Sequence, residues 1–219
     1  MTEKANYLKQ KTRFDALYNG FRPDDVVTSG PDRINPNSVL VNLNAVVQEP
    51  VLSALDHVIS NLNDRVAGHH KPELKHHLTI RAIADMATPL NSTLLNFWSN
   101  ETDKILKDHR PFEVEVRGIS TFPNVAFARV YVPQEFWDLH DKLLKAMPSR
   151  NPNREGSAMV PHLSLMYYEQ DPTELLKLLR KYEDYYFGRF KISGFRLEGR
   201  QINLDGHNYY QFSEFSLQE

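Results

Sequence analysis

The chain contains no cysteine among its 219 residues, so disulfides, thiolate catalysis and cysteine-based zinc sites are all excluded. Glycine is also scarce, with 9 residues, and the 13 prolines are scattered between periodic segments without forming a low-complexity tract. No apolar run is long enough for a signal peptide or a membrane-spanning helix. These absences predict a cytoplasmic globular protein that has no membrane partner.

Neither sign of charge dominates, because 26 lysines and arginines face 28 aspartates and glutamates, giving a formal net charge of −2. Binding to long nucleic acid is driven largely by neutralising phosphates, so this balance argues against an extended duplex partner. It is compatible with a small nucleotide or a short oligonucleotide held in a locally positive pocket. The hydrophobic content of 41% is enough to bury a sizeable core.

Two short segments of the chain are nearly the same. His77-Leu78-Thr79-Ile80 returns as His162-Leu163-Ser164-Leu165, and both follow the alternation of a strand with one polar and one buried face. Each strand would therefore present an imidazole and a hydroxyl on the same side. If the fold joins those faces, the pocket holds two groups that titrate near neutral pH and two hydroxyls. Such a set suits acid/base cleavage of a phosphodiester without a metal.

The elements around these segments also occur twice. A predicted strand, a predicted helix and a loop precede each histidine, at 38–47 and 50–66 for His77 and at 125–132 and 134–147 for His162. This order predicts an α+β fold that is bilobal and duplicated, with a pseudo-twofold axis. We expect two antiparallel β-sheets to meet at a central cleft, with helices packed on the outside. Residues 1–37 read as an N-terminal extension with a short helix, and 38–219 as a single bilobal domain.

The remaining elements complete both lobes. Helical periodicity covers 91–108 and 173–182, and a turn is predicted at 118–123 before the second lobe's returning strand. Three strands close the chain, at 190–197, 200–204 and 209–217. The Asp205-Gly206 pair predicts a hairpin between the last two.

Strand parity selects further candidate residues. Arg81 falls on the side of His77 and Thr79, where its guanidinium could bind a phosphate, although a solvated strand-end arginine is an equal alternative. On the second strand, parity places Tyr168 with His162 and turns Tyr167 toward the buried face.

The other histidines suggest little chemistry. His69, His70 and His76 lie near His77 in the sequence, but His76 and His77 must point to opposite faces of a strand. We therefore expect no metal site. His140 is interpreted as a surface or helix-end residue.

The two phrases, with the second extended from Pro161 to Tyr167, resemble the paired signatures of the two-histidine (2H) phosphoesterase superfamily. The resemblance implies that His77 and His162 are an acid/base pair and that Thr79 and Ser164 donate to phosphate oxygens, with no cofactor. It also implies that Tyr167 contacts the substrate. This conflicts with strand parity, and a bulge or the end of the strand would reconcile the two.

The function predicted from these features is a metal-independent phosphodiesterase, active as a monomer. It would hydrolyse a 2′,3′-cyclic or 2′-5′-linked nucleotide phosphodiester by two-histidine catalysis. Three alternatives stay open. One is an enzyme that degrades 2′-5′ oligoadenylate or cyclic oligonucleotides and so acts against immune signalling. The second is a nuclease or ligase that processes RNA ends, and the third is a catalytically silent protein that binds nucleotides or RNA.

Overall fold

The computed structural model describes residues 2–21, 37–63, 76–123, 125–148, 159–168, 173–203 and 206–218. The helices are α1 (Glu3–Gly20), α2 (Val51–Asn63), α3 (Ser92–Leu106), α4 (Gln134–Ala146) and α5 (Thr173–Leu179). The strands are β1 (Ser38–Val46), β2 (His77–Ala87), β3 (Phe112–Phe122), β4 (Val125–Tyr131), β5 (His162–Tyr167), β6 (Tyr186–Ile192), β7 (Gly194–Asn203) and β8 (Gly206–Ser216).

Two antiparallel four-stranded sheets form the body of the protein. The first sheet has the order β2-β1-β7-β8, and the second has the order β5-β4-β3-β6. Each histidine strand forms one edge of its sheet and pairs with the strand that precedes it in the chain. The two edge strands, β2 and β5, contact each other. The predicted α+β fold with two sheets meeting at their histidine strands is therefore confirmed.

Strand β1 shows how the sequence sorts its side chains between core and cleft. Val39, Val41, Leu43 and Ala45 are fully buried in the core, and Leu40, Asn42 and Asn44 alternate with them on the opposite face, where they line a cleft. Because successive strand residues point to opposite faces, one face is apolar and the other can carry polar groups. The core faces of both sheets and helices α2 to α5 share one continuous hydrophobic cluster.

The helices tie the two sheets together. Helix α2, which follows β1 of the first sheet, packs on β5 and β6 of the second, and α4, which follows β4 of the second sheet, packs on β2 of the first. The chain itself crosses from one sheet to the other at Ser193, because β6 pairs with β3 and β7 pairs with β1. The predicted strand 190–197 spans this crossing and was wrong as a single element. The β7–β8 hairpin is present, with Asn203 opposite Gly206; Asp205 lies outside the described residues.

The turn predicted at 118–123 was also wrong, because β3 continues through Phe122. Gly118 takes a φ of +74°, and its pairing shifts register there. A side chain at this position would place its Cβ 2.2 Å from the backbone oxygen of Glu183. Glycine therefore lets the strand bend and continue where the sequence alone suggested an end.

The N-terminal helix is part of the second lobe and is longer than the short helix predicted for it. The side-chain amides of Asn6 and Gln10 each donate to the Val132 carbonyl oxygen at 2.9 Å. The Ser120 hydroxyl donates to the Phe14 carbonyl oxygen at 3.1 Å, and the Phe14 ring is buried. These contacts fix α1 against β3 and β4. None of the described helices is both long and apolar enough to cross a membrane.

Candidate active site

A cleft of about 290 Å³ opens where the two histidine strands meet. The four motif side chains, His77, Thr79, His162 and Ser164, all line it. The other lining residues come mainly from β1 and the end of the first sheet: Leu40, Asn42, Asn44, Ala82, Tyr167, Glu198, Gly199, Arg200 and Tyr209. The fold therefore brings together the four residues that the sequence singled out.

The two motif strands share an irregularity that strand parity does not predict. Thr79 pairs with Asn44 and Arg81 pairs with Leu43, so Ile80 is an extra residue on β2. In β5, Ser164 pairs with Phe127 and Met166 with Ala126, so Leu165 is extra there in the same way. A bulge of this kind moves the side chains that follow it to the other face, and a second bulge in β2, at Ile83, reverses the faces again. The first six residues of both strands consequently have the same sequence of half-buried and buried positions.

The matching bulges turn one of the two further candidate residues, Tyr167, into the cleft and the other, Arg81, into the interior. Tyr167 turns into the cleft, as the family resemblance implied and parity did not, while Tyr168 is buried and hydrogen-bonded to Thr121. Arg81 was wrongly placed beside His77. It is only 2% exposed, and its Nε and one terminal nitrogen donate to the Met147 carbonyl oxygen at 3.3 and 2.9 Å. Arg81 therefore belongs to the interior between β2 and the end of α4.

His162 has a defined tautomer and an apolar surround. Its Nδ1 lies 2.7 Å from the Val160 carbonyl oxygen, and because a carbonyl only accepts, Nδ1 carries a proton. This leaves Nε2 as the nitrogen available to the cleft. The rings of Phe122 and Phe127 pack against the imidazole with centroid distances of 5.1 and 5.2 Å.

This environment shifts the titration of His162. Burial lowers the pKa of the His162 imidazole below its ordinary value, since desolvation penalises the charged ring. The hydrogen bond to Val160 opposes that effect, and the positive charge that His77 can carry adds to it. The net direction is downward, so His162 is neutral at pH 7 with an Nε2 lone pair that can accept a proton. Both imidazoles line the same cleft.

The surround of Thr79 is polar by contrast. Its hydroxyl is 2.8 Å from Asn44 Oδ1, and Asn44 Nδ2 is 3.1 Å from Glu198 Oε2. Asn44 is only 3% exposed, so this chain of hydrogen bonds is largely shielded from water. It connects the first motif to β7, the neighbouring strand on the other side of β1.

A cationic group stands beside the tyrosine of the second motif. One terminal nitrogen of Arg200 lies 3.5 Å from the Tyr167 hydroxyl. The Nε of Arg200 and the Oδ1 of Asn42 are buried and make no hydrogen bond within the part of the chain that is described. Both atoms belong to residues that line the cleft.

Sequence reasoning missed Asn42, Asn44, Glu198, Arg200 and Tyr209. One signal was present, because Asn42 and Asn44 occupy alternate positions of a segment, 39–46, whose other residues are all aliphatic. Two amides on one face of a buried strand indicate that this face meets polar partners. No comparable local signal marks Glu198 or Arg200, which reach the cleft through the pairing of β7 with β1.

The remaining histidines follow the predictions only in part. His140 is buried rather than superficial, and its Nδ1 donates to the Ile80 carbonyl oxygen at 2.8 Å, so α4 supports the bulge of β2. His69 and His70 lie outside the described residues. Within the ranges given above, no three histidine, aspartate or glutamate side chains converge as metal ligands would.

Comparisons with known proteins support the relationship that the motifs suggested. Residues 99–201 match the family model described as the 2′-5′ RNA ligase superfamily. No curated protein matches the chain. Among solved structures, TT0787 of Thermus thermophilus is similar with a TM-score of 0.62 and 19% identity, over 81% of this chain and 97% of that one. Escherichia coli LigT complexed with 3′-AMP is similar with a TM-score of 0.61 and 11% identity, over 84% and 99%.

The family model and the solved structures cover different parts of the candidate site. The family segment contains His162, Ser164, Tyr167 and the β7 residues of the cleft, whereas His77 and Thr79 precede it. The solved structures extend the shared fold over both lobes. The chain is therefore similar to the 2′-5′ RNA ligase superfamily over residues 99–201, and it shares the fold of TT0787 and LigT over both lobes.

Proposed function

We propose that this cleft is the active site of a metal-independent phosphodiesterase that acts on 2′,3′-cyclic or 2′-5′-linked nucleotide phosphodiesters. One observation carries the proposal: two imidazoles and two hydroxyls from separate lobes line the same cleft. Two imidazoles supply both proton transfers that such a cleavage requires. The 2′-5′ linkage in the family's description and the 3′-AMP bound to LigT support a nucleotide phosphate as the ligand.

His162 is the general base in this mechanism. Its lowered pKa keeps it neutral, and its Nε2 takes the proton from the attacking water or ribose hydroxyl as the new phosphorus–oxygen bond forms. His77 is the general acid, and it gives its proton to the ribose oxygen as the old phosphorus–oxygen bond breaks. The exchange leaves His162 protonated and His77 neutral, and one proton shift through solvent restores the starting state.

The other cleft residues hold the substrate. The cleft hydroxyls hydrogen-bond the phosphate and the hydroxyl that attacks or leaves, where charge changes most during the reaction. Tyr167 offers a ring face to a base or a sugar, and Arg200 beside it places a guanidinium within reach of a second phosphate. A dinucleotide or a nucleotide with a further phosphate would use both groups.

A small nucleotide or short oligonucleotide is the partner that this proposal includes, and it requires neither a cofactor nor a second subunit. The cleft volume of about 290 Å³ matches a mononucleotide-sized ligand better than a duplex. We propose a cytoplasmic monomer, in keeping with the composition of the chain.

The experiment that tests the proposal is a product assay in excess EDTA. Purified protein is incubated with the four 2′,3′-cyclic nucleotides and, separately, with 2′-5′ oligoadenylates, and products are separated by chromatography. We expect turnover of at least one class in wild type and none above background in the His77→Ala/His162→Ala double variant. Tight binding without turnover of either class would contradict the enzymatic proposal and favour a nucleotide-binding protein.

A further inference from the structure

The hydroxyls of Thr79 and Ser164 have different neighbours, although the first six positions of their strands have the same burial pattern. Thr79 lies opposite Asn44 on β1, whereas Ser164 lies opposite Phe127 on β4. Thr79 is hydrogen-bonded to Asn44, and the Ser164 hydroxyl has no hydrogen-bond partner among the described residues. The pseudo-twofold symmetry therefore ends at these two side chains, and they are not chemically equivalent.

Glu198 determines which way the Asn44 amide points. A carboxylate only accepts hydrogen bonds, so the amide nitrogen of Asn44 faces Glu198 at 3.1 Å. The amide oxygen is then left to face Thr79 at 2.8 Å, and because it too only accepts, the Thr79 hydroxyl must donate. The proton of Thr79 is therefore directed at Asn44, and the oxygen keeps its lone pairs for the cleft.

We propose that Glu198 and Asn44 are positioning residues that hold Thr79 as a hydrogen-bond acceptor toward the substrate. The inference rests on the proposed function and assigns the two hydroxyls different tasks. Thr79 accepts a hydrogen bond from the attacking water or from a ribose hydroxyl, and Ser164 donates to a non-bridging phosphate oxygen. The alternative, in which Thr79 turns its proton to the phosphate, leaves the Asn44 oxygen unpaired at a site that is only 3% exposed.

A double-mutant cycle tests whether Glu198 acts through Thr79. We expect Glu198→Gln to lower kcat by about tenfold, because a glutamine no longer forces the orientation of Asn44. In a Thr79→Ala background the same change should alter kcat by less than about twofold, since the group that it positions is gone. An equal loss in both backgrounds would overturn the proposal, because Glu198 would then act on the substrate or on the fold directly.

Glu214→Gln is the matched control for charge. Glu214 is an exposed carboxylate on β8 of the same sheet, paired with Arg196 at 3.2 Å. Its loss should leave kcat unchanged in both backgrounds. If Glu214→Gln lowered kcat as much as Glu198→Gln does, the cause would be the loss of a negative charge from the first sheet. The positioning role proposed for Glu198 would then be wrong.

Asn44→Leu separates an accepting Thr79 from a donating one. If Thr79 donates to the phosphate, replacing Asn44 by an apolar residue of similar size frees its proton, and kcat is retained or rises. If Thr79 accepts, the variant lets the hydroxyl rotate, and we expect kcat to fall about tenfold with little change in KM. Thermal unfolding of each variant establishes that the comparison is made between folded proteins.

The failure of this inference is distinguishable from failure of the proposed function. If wild type cleaves neither substrate class, the proposed function is wrong. The hydrogen bonds from Glu198 through Asn44 to Thr79 are then tested by measuring the affinity for 3′-AMP by calorimetry. Non-additive losses for Glu198→Gln and Thr79→Ala would then still support the positioning role. Additive losses in affinity would overturn it whatever the enzyme's activity.

Discussion

The Phe122 ring stands edge-on to the imidazole of His162, with 5.1 Å between centroids and 86° between planes. Phe127 covers a second side of the same imidazole at 5.2 Å. An imidazole between two hydrocarbon rings loses part of its hydration, and its charged form is penalised more than its neutral form. The two phenylalanines therefore favour the unprotonated state that a general base needs.

Removing either cleft histidine tests the assignment of the acid/base pair. We expect His77→Ala and His162→Ala each to lower kcat/KM by about 10² to 10⁴ on the substrate class that wild type cleaves. His57→Ala is the control, because His57 is an exposed residue on α2 whose ring is hydrogen-bonded to Asn61 of the same helix. Steady-state kinetics in EDTA measures all three, and near wild-type rates in either cleft variant would remove that histidine from the mechanism.

The pH profile follows from the direction of the His162 pKa. Because that pKa is lowered, the base remains neutral to below its ordinary value of about 6.5, and the acid limb of kcat/KM should lie there. Phe122→Gln should admit water and a polar group beside the ring, raise the pKa and move the acid limb upward. NMR titration of the His162 ring in both proteins gives an independent measurement. An acid limb that does not move despite an intact fold would assign the base to another group.

The same shift has a consequence for stability. A histidine whose pKa is lower in the folded state than in the unfolded state binds its proton more tightly once unfolded. The free energy of unfolding should therefore fall as the pH drops below about 6.5. In His162→Gln that part of the pH dependence should disappear. Urea denaturation between pH 7.5 and 5 measures the difference, and identical slopes for the two proteins would be the contrary result.

Arg81 is expected to matter for folding rather than for binding. Its buried guanidinium donates twice to Met147, so Arg81→Leu leaves that carbonyl oxygen unpaired and should cost about 2 to 4 kcal/mol of unfolding free energy. The KM of the surviving folded enzyme should change less than about twofold. A large rise in KM at unchanged stability would restore the phosphate-binding role that parity suggested.

The N-terminal helix is held in part by an ion pair with a buried arginine. Arg129, whose side chain is 1% exposed, bonds Asp15 at 2.9 Å, and it lies opposite His162 in the sheet. Asp15→Asn leaves that charge without its partner and should cost about 1 to 3 kcal/mol of unfolding free energy, because the exposed side of Asp15 moderates the effect. Lys11→Met, which removes only the exposed partner of Asp15, should change stability by less than about 0.5 kcal/mol. Equal effects of both variants would show that burial of Arg129 is not the cause.

The sequence was sufficient to identify the four motif residues, because the alternation that defines them is local. It failed for Arg81 and Tyr167 because an extra residue directly after each motif hydroxyl, Ile80 in β2 and Leu165 in β5, reverses the faces at that point. A bulge is a property of the pairing between two strands, and pairing with β1 or β4 is not visible in the motif itself. The structure turns Tyr167 into the cleft, the side on which the family resemblance implied a substrate contact.

The polar residues of the cleft could not be predicted from the sequence for a related reason. Asn44 and Glu198 are separated by 154 residues, and they meet only because β7 joins the first sheet after all four strands of the second sheet have been completed. Strand boundaries near Ser193 failed there too, since both segments are β-rich and only the exchange of partner sheets separates them. Local patterns fix which face of a strand is apolar, but long-range pairing decides what the polar face meets.

The exchange of helices between the sheets limits how the chain can be divided. Helix α2 packs on strands of the second sheet, and α4 packs on a strand of the first. Dividing the polypeptide between the two sequence repeats would therefore leave each half without the helix that covers its sheet. Either fragment alone would expose aliphatic surface and should aggregate, whereas the two expressed together should reassemble into one folded protein. The two halves are in this sense one folding unit, and we expect neither to fold without the other.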